Sequence, residues 1–418
     1  MLIFEIIQIF AATFLALLSV RALFLVAFSY KNYSRKLKIN KSFRPFVSII
    51  VPCYNEELTL DNCIKGLLNQ SYDNYEILIV NDGSKDNTKA VGKGLEKEHH
   101  GKIRFLDKPN GGKASALNYG IERAKGSIII SIDADSIFVN DTVVQLVAPF
   151  EDPKVDAVTG NVRVSNTNNL LTKSQSIEYL TGLNLEKRTF TELNCIQVIS
   201  GCIGAFRKER LLDAGGYSSD TLIEDMDLTV TMAKRGCKIV YNPHAIAYTE
   251  APETLGDLYK QRYRWGYGKW QVIKKHKDII LNKEYGSIGT IGIPYFLVAL
   301  WINILTAIIM GGLLVSAIIS NHLISYISVL LVFSIPVLVI FCYVLYIDRN
   351  KDSNTLPLYV IIQILYYPFV IMYCDVKAWI DFKRGVKTNW NKLKRLGLNL
   401  IPANSTTKVI VSKDQHAA

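Results

Sequence analysis

Apolar residues are distributed along this chain in two regimes. From Leu2 to Phe28, Ile288 to Ile319, Leu323 to Ile347 and Leu356 to Tyr373 the sequence is almost continuously apolar. Such lengths reach or approach the roughly 20 residues that a helix needs to cross a bilayer. From Arg44 to Tyr285 no comparable run occurs. Short apolar stretches alternate there with amphipathic ones, which predicts a water-soluble domain between membrane segments.

Within that domain, Phe46 to Pro52 reads as a strand ending at proline, and Glu57 to Gln70 as a helix with Leu60, Ile64, Leu67 and Leu68 at helical spacing. Glu76 to Val80 is a second strand, closed by the turn residues Asn81-Asp82-Gly83-Ser84. A helix over Asn87 to His99, a strand over Ile103 to Leu106 and a helix from Gly111-Gly112-Lys113 to Ala124 follow. A buried strand, Ser127 to Ile130, then runs into Asp133-Ala134-Asp135. The alternation predicts a doubly wound, mostly parallel sheet, in which ligands bind at the carboxyl ends of the strands. Asn55, Glu56, Asp82, Lys113, Asp133 and Asp135 all fall at those ends. No Gly-x-Gly-x-x-Gly or Walker pattern follows the first strand, which counts against dinucleotide and P-loop binding.

Asp133 and Asp135 fit two readings. Their oxygens suit a divalent cation, Mg²⁺ or Mn²⁺, that also binds a diphosphate; a solvated acidic turn is the other reading. Downstream, Val198 to Phe206 is apolar and small around Gly201, suited either to close backbone approach by a ligand or to a buried strand. Ile223-Glu224-Asp225-Met226-Asp227 opens a helical pattern, where acids also simply suit the helix dipole. Tyr259 to Trp270 mixes aromatics, arginines and glycines just ahead of the membrane. It suits a lipid interface as well as phosphate and sugar binding.

The net charge of +11 sits on the flanks. Lys31 to Arg44 holds six basic residues and no acid, and from Lys377 onward nine basic residues face Asp381 and Asp414. The remainder is slightly acidic, which excludes a nucleic-acid-binding face on the central domain. Basic runs abutting apolar segments fit cytosolic flanks against anionic lipid. Seven cysteines without a Cys-x-x-Cys pair, and six histidines without ligand spacing, argue against a disulfide scaffold or a zinc site. The N-terminal segment lacks a basic start and a small-x-small cleavage site, so it reads as a retained anchor.

With Asp133-x-Asp135, Glu224-Asp225 and Gln261-x-x-Arg264-Trp265 assembled in order, the chain resembles the membrane-embedded, processive members of glycosyltransferase family 2: cellulose, chitin, hyaluronan and poly-N-acetylglucosamine synthases. Glu250-Ala251-Pro252-Glu253-Thr254-Leu255-Gly256, running into Lys260 to Trp265, most resembles the bacterial poly-β-1,6-N-acetylglucosamine synthases. The resemblance implies a GT-A nucleotide-diphospho-sugar transferase domain, Rossmann-like with a mostly parallel sheet, inserted between transmembrane helices. Boundaries follow at 1–30 for an anchor helix, 44–250 for the transferase domain and 251–286 for an interfacial segment. Two or three spans are expected over 287–380, and a basic cytosolic tail over 381–418.

The resemblance also implies roles. Asp82 would hold the uracil or ribose of a UDP-sugar, with Pro52, Tyr54, Asn55 and Glu56 lining that pocket. Lys113 and Asp133 would contact the nucleotide, and Asp135 would ligate Mg²⁺ or Mn²⁺. Asp225, paired with Glu224, would be the general base, with Gly201 against the substrate. Gln261, Arg264 and Trp265 would bind the leaving diphosphate and stack under the acceptor sugar. A single base without a second nucleophile means one inverting displacement, giving a β-linkage. Implied partners are a UDP-sugar, most consistently UDP-N-acetylglucosamine, the growing glycan, the bilayer and a small membrane accessory subunit. Other β-glycans (cellulose, hyaluronan, chitin oligosaccharide) and a non-catalytic nucleotide-sugar-binding export subunit are the competing readings. Ile223 departs from the family's usual threonine, and a second N-terminal span and a cyclic-dinucleotide sensor are not expected. Three full crossings after a cytosolic domain would leave the basic tail outside, so one segment, with Pro357, Tyr366, Tyr367, Pro368 and Asp375 in the last, is expected to lie in the interface or re-enter.

Overall fold

The computed structural model describes residues 2–34, 39–40, 42–321, 323–348, 357–386, 388 and 397. The basic residues Arg35, Lys36, Lys38 and Lys41, and nearly all of the basic tail after 386, therefore lie outside the described residues. A long apolar helix, α1 (Leu2–Ser34), precedes the soluble domain. There β1 (Val47–Cys53), α2 (Leu60–Leu68), β2 (Tyr75–Asp82), α3 (Thr88–Glu98), β3 (Ile103–Lys108), α4 (Lys113–Arg123) and β4 (Ile128–Ser131) alternate as the pattern predicts. Next come β5 (Ser136–Phe138), α5 (Thr142–Val147), β6 (Val155–Val164), α6 (Leu170–Glu178) and α7 (Leu185–Glu192). A π-helical stretch, Tyr179–Asn184, joins α6 to α7. Then β7 (Gly204–Arg207), α8 (Lys208–Asp213), α9 (Glu224–Lys234), β8 (Lys238–Thr249) and α10 (Leu255–Lys275) complete the domain. The chain continues through α11 (Ile293–Ile319), α12 (Leu323–Ile347) and α13 (Pro357–Lys383).

One eight-stranded sheet orders these strands β3-β2-β1-β4-β7-β6-β8-β5. β3, β2, β1 and β4 pair in parallel, as do β6 and β8; β7 runs antiparallel to β4 and β6, and β5 to β8. The Val- and Ile-rich strands β2 and β4 are buried along their whole length and β1 nearly so, the pattern of a parallel sheet covered on both faces. Two core clusters result. Ile49, Ile77, Ile79, Ile130 and Val158 pack with α2 on one side, and Ile50, Val80 and Ile129 pack with α4 and α9 on the other.

Among the described residues four helices are long and apolar enough to cross a membrane, over Ala12–Ser34, Ile288–Ile319, Tyr326–Ile347 and Tyr359–Lys383. Large apolar side chains are left exposed along them, among them Leu17, Leu23, Ile308, Val315, Ile335 and Leu365, as expected of a lipid-facing surface. Polar contacts lock the helices to the soluble domain. Arg21 of α1 pairs with Glu186 of α7 at 2.8 Å and donates to the Tyr295 hydroxyl at 2.9 Å. Just past α12, Asp348 meets Arg163 of β6 at 2.7 Å. α13 touches the domain from end to end. Lys173 donates to the Tyr359 hydroxyl at 2.9 Å, Tyr263 donates to Asp381 at 2.9 Å, and Tyr267 donates to the Val386 carbonyl at 2.8 Å.

Candidate active site

The parallel strands deliver their carboxyl ends to one edge of the sheet. After β1, Asn55 takes a left-handed backbone (φ +56°), which turns the chain toward the loop after β2. There the Asn55 N–H donates to Ser84 Oγ (2.9 Å), its Oδ1 accepts from the Lys85 N–H (2.7 Å), and the Glu56 N–H donates to Thr88 Oγ1 (2.6 Å). Pro52 lies in β1 beside Val80, and Tyr54, Asn55 and Glu56 are held in a loop fixed against its neighbour. This turn also delays α2 to Leu60, three residues after the expected Glu57.

Asp82, buried at the end of β2, spends its carboxylate on the chain itself. Oδ1 accepts from Lys108 (2.5 Å) and the Gly111 N–H (3.0 Å), and Oδ2 from the Gly112 N–H (2.7 Å). Gly112 has φ +84°, a conformation costly for other residues, and lies immediately before Lys113. Asp82 therefore sets the loop that aims the first residue of α4.

Lys113 is the hub. Its ammonium lies 2.6 Å from Asp133 Oδ1 and 3.1 Å from Glu224 Oε1, bridging the end of β4 to the start of α9. Burial alone would lower its pKa, but Asp133, Glu224 and Asp225 outweigh that and hold it well above the ordinary lysine value. The Lys113 and Asp133 side chains keep 27% and 31% of their surface, so a ligand can reach them. Asp225 follows Glu224, and its Oδ2 accepts from the Gly201 N–H at 3.1 Å. Burial and the neighbouring Glu224 push its carboxyl upward, against the pull of Lys113 and the N–H groups of Met226 and Gly201. A Cβ on Gly201 would sit 3.0 Å from the Lys113 ammonium and 3.4 Å from Asp225, so the glycine leaves that approach open.

Asp133, Lys113, Glu224, Asp225 and Gly201 thus meet at one point. Asp135 lies along a neighbouring groove with Thr59, Asn62, Ser165, Tyr248 and Glu250. The buried Cys63 thiol, 3.7 Å from the Asp133 carbonyl, is pushed well up by burial and by Asp135, Asp133 and Glu56, which places these three acids around one side chain. Among the described residues no cluster of three or more His, Cys, Asp or Glu could cage a metal ion.

On α10, Gln261 is buried, and its Oε1 has no hydrogen-bond partner among the described residues. Arg264 donates to the Leu222 carbonyl (3.3 Å), two residues before Glu224. Trp265 packs against both core clusters with the Arg262 guanidinium 4.4 Å from its ring centre. Arg262 makes a two-point pair with Glu178 of α6, 2.8 Å at each oxygen, and donates to the Tyr367 hydroxyl at 3.3 Å. Sequence reading gave Arg262, Glu178, Lys187 and Glu250 no role. Arg262 at least lay inside the aromatic, basic stretch; Lys187 carried no signal, because a lysine on a helix reads as solvated.

An eight-stranded mixed sheet with acids at the ends of its parallel strands, under two helices that return an acid pair and an arginine to them, is the GT-A glycosyltransferase fold. Residues 48–213 match the family model described as Glycosyl transferase family 2. Over 244 residues the chain is 36% identical to poly-β-1,6-N-acetyl-D-glucosamine synthase of Staphylococcus aureus (strain COL), covering 58% of this chain and 59% of that protein. It is 34% identical over 247 residues to the Staphylococcus epidermidis enzyme of the same name, covering 58% and 60%. The chain thus spans about three fifths of the length of the curated relatives it matches. A mannosyltransferase from Pyrobaculum calidifontis, solved with GDP-mannose and Mn²⁺, superposes with a TM-score of 0.63 at 18% identity, over 91% of this chain and all of that one, and shares the fold.

Proposed function

We propose that this chain is a processive, inverting glycosyltransferase of the plasma membrane. It joins units from a UDP-sugar, UDP-N-acetylglucosamine, into a β-linked extracellular polysaccharide that leaves through its membrane helices. The observation that carries the reading is the meeting of Lys113, Asp133, Glu224, Asp225 and the Gly201 N–H at one point. The likeness to the staphylococcal synthases supports the choice of donor.

The chemistry follows from that arrangement. Asp225, with its carboxyl poised upward, takes the proton from the acceptor hydroxyl as that oxygen attacks the anomeric carbon. The bond from that carbon to the diphosphate oxygen breaks on the opposite face, UDP departs with the electron pair, and an α-linked donor gives a β-linked product. Negative charge growing on the diphosphate meets the Lys113 ammonium and Arg264. Gln261, with its buried oxygen unspent, offers an acceptor to a substrate hydroxyl or amide N–H. Trp265 supplies an aromatic face to the acceptor sugar.

Asp135, two residues after Asp133, fits Mg²⁺ or Mn²⁺. Such ions take one or two protein carboxylates and fill the remaining positions with phosphate oxygens and water, which suits a site where the described residues hold no group of three or more His, Cys, Asp or Glu. When bound, the ion neutralises diphosphate charge. The domain faces the cytosol, where the basic flanks belong.

Asp225→Asn is the test. Turnover is expected to fall by at least about a thousandfold, while calorimetric UDP binding stays within a factor of about three of the parent, because the change removes only the proton acceptor. Retained turnover removes Asp225 from the base role.

A further inference from the structure

Lys187 is a buried cation that the chemistry above does not use. It lies on α7, and its ammonium is surrounded by neutral oxygens: Ser200 Oγ at 2.6 Å, Thr159 Oγ1 at 3.1 Å and the Gly160 carbonyl at 3.5 Å. The Tyr241 ring centre stands 5.9 Å away, and among the described residues the ammonium's hydrogen-bond partners are all neutral. Burying an unpaired ammonium is expensive, so its three N–H groups must all be used, and here they are.

What they fasten is the turn that carries Gly201. The Ile203 N–H donates back to the Ser200 carbonyl (3.0 Å), and the Ser200 N–H donates to Thr159 Oγ1 (3.3 Å). One residue on, the Gly201 N–H reaches Asp225 (3.1 Å). On the other side, the Ile199 N–H donates to Thr229 Oγ1, which itself donates to the Asp225 carbonyl (2.6 Å). The ammonium thus ties Ser200 to β6, between the two hydrogen-bonded paths that frame the acid.

We propose that Lys187 is a positioning residue for transfer: by clamping Ser200 against β6 it aims the Gly201 N–H at Asp225 and holds a fixed positive charge behind the base. This rests on Asp225 being the base. Asp225 is faced by Lys113 from α4, by Glu224 on its own helix and by Lys187 from α7, while Lys187 is faced by Cys202, Tyr241 and Asp225. Burial draws the Lys187 ammonium down to about 8, so it carries its charge at neutral pH and loses it in mild alkali.

The test uses the full-length protein in detergent or nanodiscs with UDP-N-acetylglucosamine, and reads kcat, donor KM and the acid limb of the pH profile. Lys187→Met keeps the length and removes the charge. It is expected to lower kcat at least tenfold with donor KM within twofold, and to move the acid limb up by about half a pH unit or more, because the base loses a cation and an aimed N–H. Lys187→Arg is expected to bring the limb back toward the parent. Ser200→Ala, a milder cut of the same clamp, is expected to move the limb in the same direction and serves where Lys187→Met does not fold. A limb left at its parent position in Lys187→Met, or in Ser200→Ala where that variant stands in, overturns the proposal, whether or not kcat falls. Asp225→Asn separates the two failures: turnover retained there defeats the base assignment, whereas a dead Asp225→Asn beside an unmoved limb defeats the role of Lys187 alone.

Discussion

Lys113 gathers the acids of this site, and its removal shows what a shared cation is worth. Lys113→Met leaves Asp133, Glu224 and Asp225 without their common partner. UDP affinity is expected to weaken by about 1–3 kcal/mol, discounted for the exposure of the pair, in a calorimetric titration. Unchanged affinity would place the nucleotide elsewhere. As the proposed base, Asp225 would set the pH response. Its carboxyl is raised by burial and Glu224, and a base works only when deprotonated. Activity is therefore expected to fall as pH drops through a value above the ordinary aspartate pKa of about 4, in a kcat/KM profile. A limb at or below about pH 4 contradicts it. These acids could be read from sequence because each sits beside a strand end or opens a helix. The occupation of Asp82 could not, since Lys108, Gly111 and Gly112 reach it only through a loop whose left-handed turn has no sequence signature beyond glycine.

Elements show a similar division. The parallel strands were legible because burial on both faces leaves continuous Val and Ile runs. The helical stretch 170–192 was not, because its many sides meet different partners. Thr172, Ser174, Gln175, Asn184, Lys187, Arg188 and Thr189 are all buried, so no solvated face alternates with an apolar one. α9 and α10 are joined by another buried polar contact: Asp227 receives His276 at 2.7 Å on one oxygen and Lys275 at 2.7 Å on the other. Burial would raise the Asp227 carboxyl, but these donors outweigh it and hold it below the usual range. Its stabilisation is therefore present above the unfolded aspartate pKa and is lost as pH falls through the lower folded value. Asp227→Asn is expected to cost about 1–3 kcal/mol, seen as earlier thermal unfolding at neutral pH, with the gap to the parent closing in acid. An unchanged melting temperature at neutral pH would mean that α9 is held by its apolar contacts alone.

At the scale of the whole molecule, four helices among the described residues meet the length and hydropathy of a span, yet α13 and the residues just after it contact the soluble domain from Tyr359 to Val386. An arrangement in which α1, α11 and α12 cross while α13 lies along the domain keeps both basic flanks inside, in line with the positive-inside rule. With the seven native cysteines replaced, Asn321→Cys, between α11 and α12, is expected to react with an impermeant maleimide from outside. Gly385→Cys is expected to react only after permeabilisation, and labelling from outside would make α13 a fourth crossing. The central claim, a polymerising transferase, is tested most directly by the purified protein in nanodiscs, given a panel of UDP-sugars with Mg²⁺ or Mn²⁺ and assayed by product size and linkage. The expected result is long β-linked polymer from UDP-N-acetylglucosamine, lost with EDTA and restored by the metal. Single-sugar or lipid-linked products, or no turnover with any donor, would contradict it.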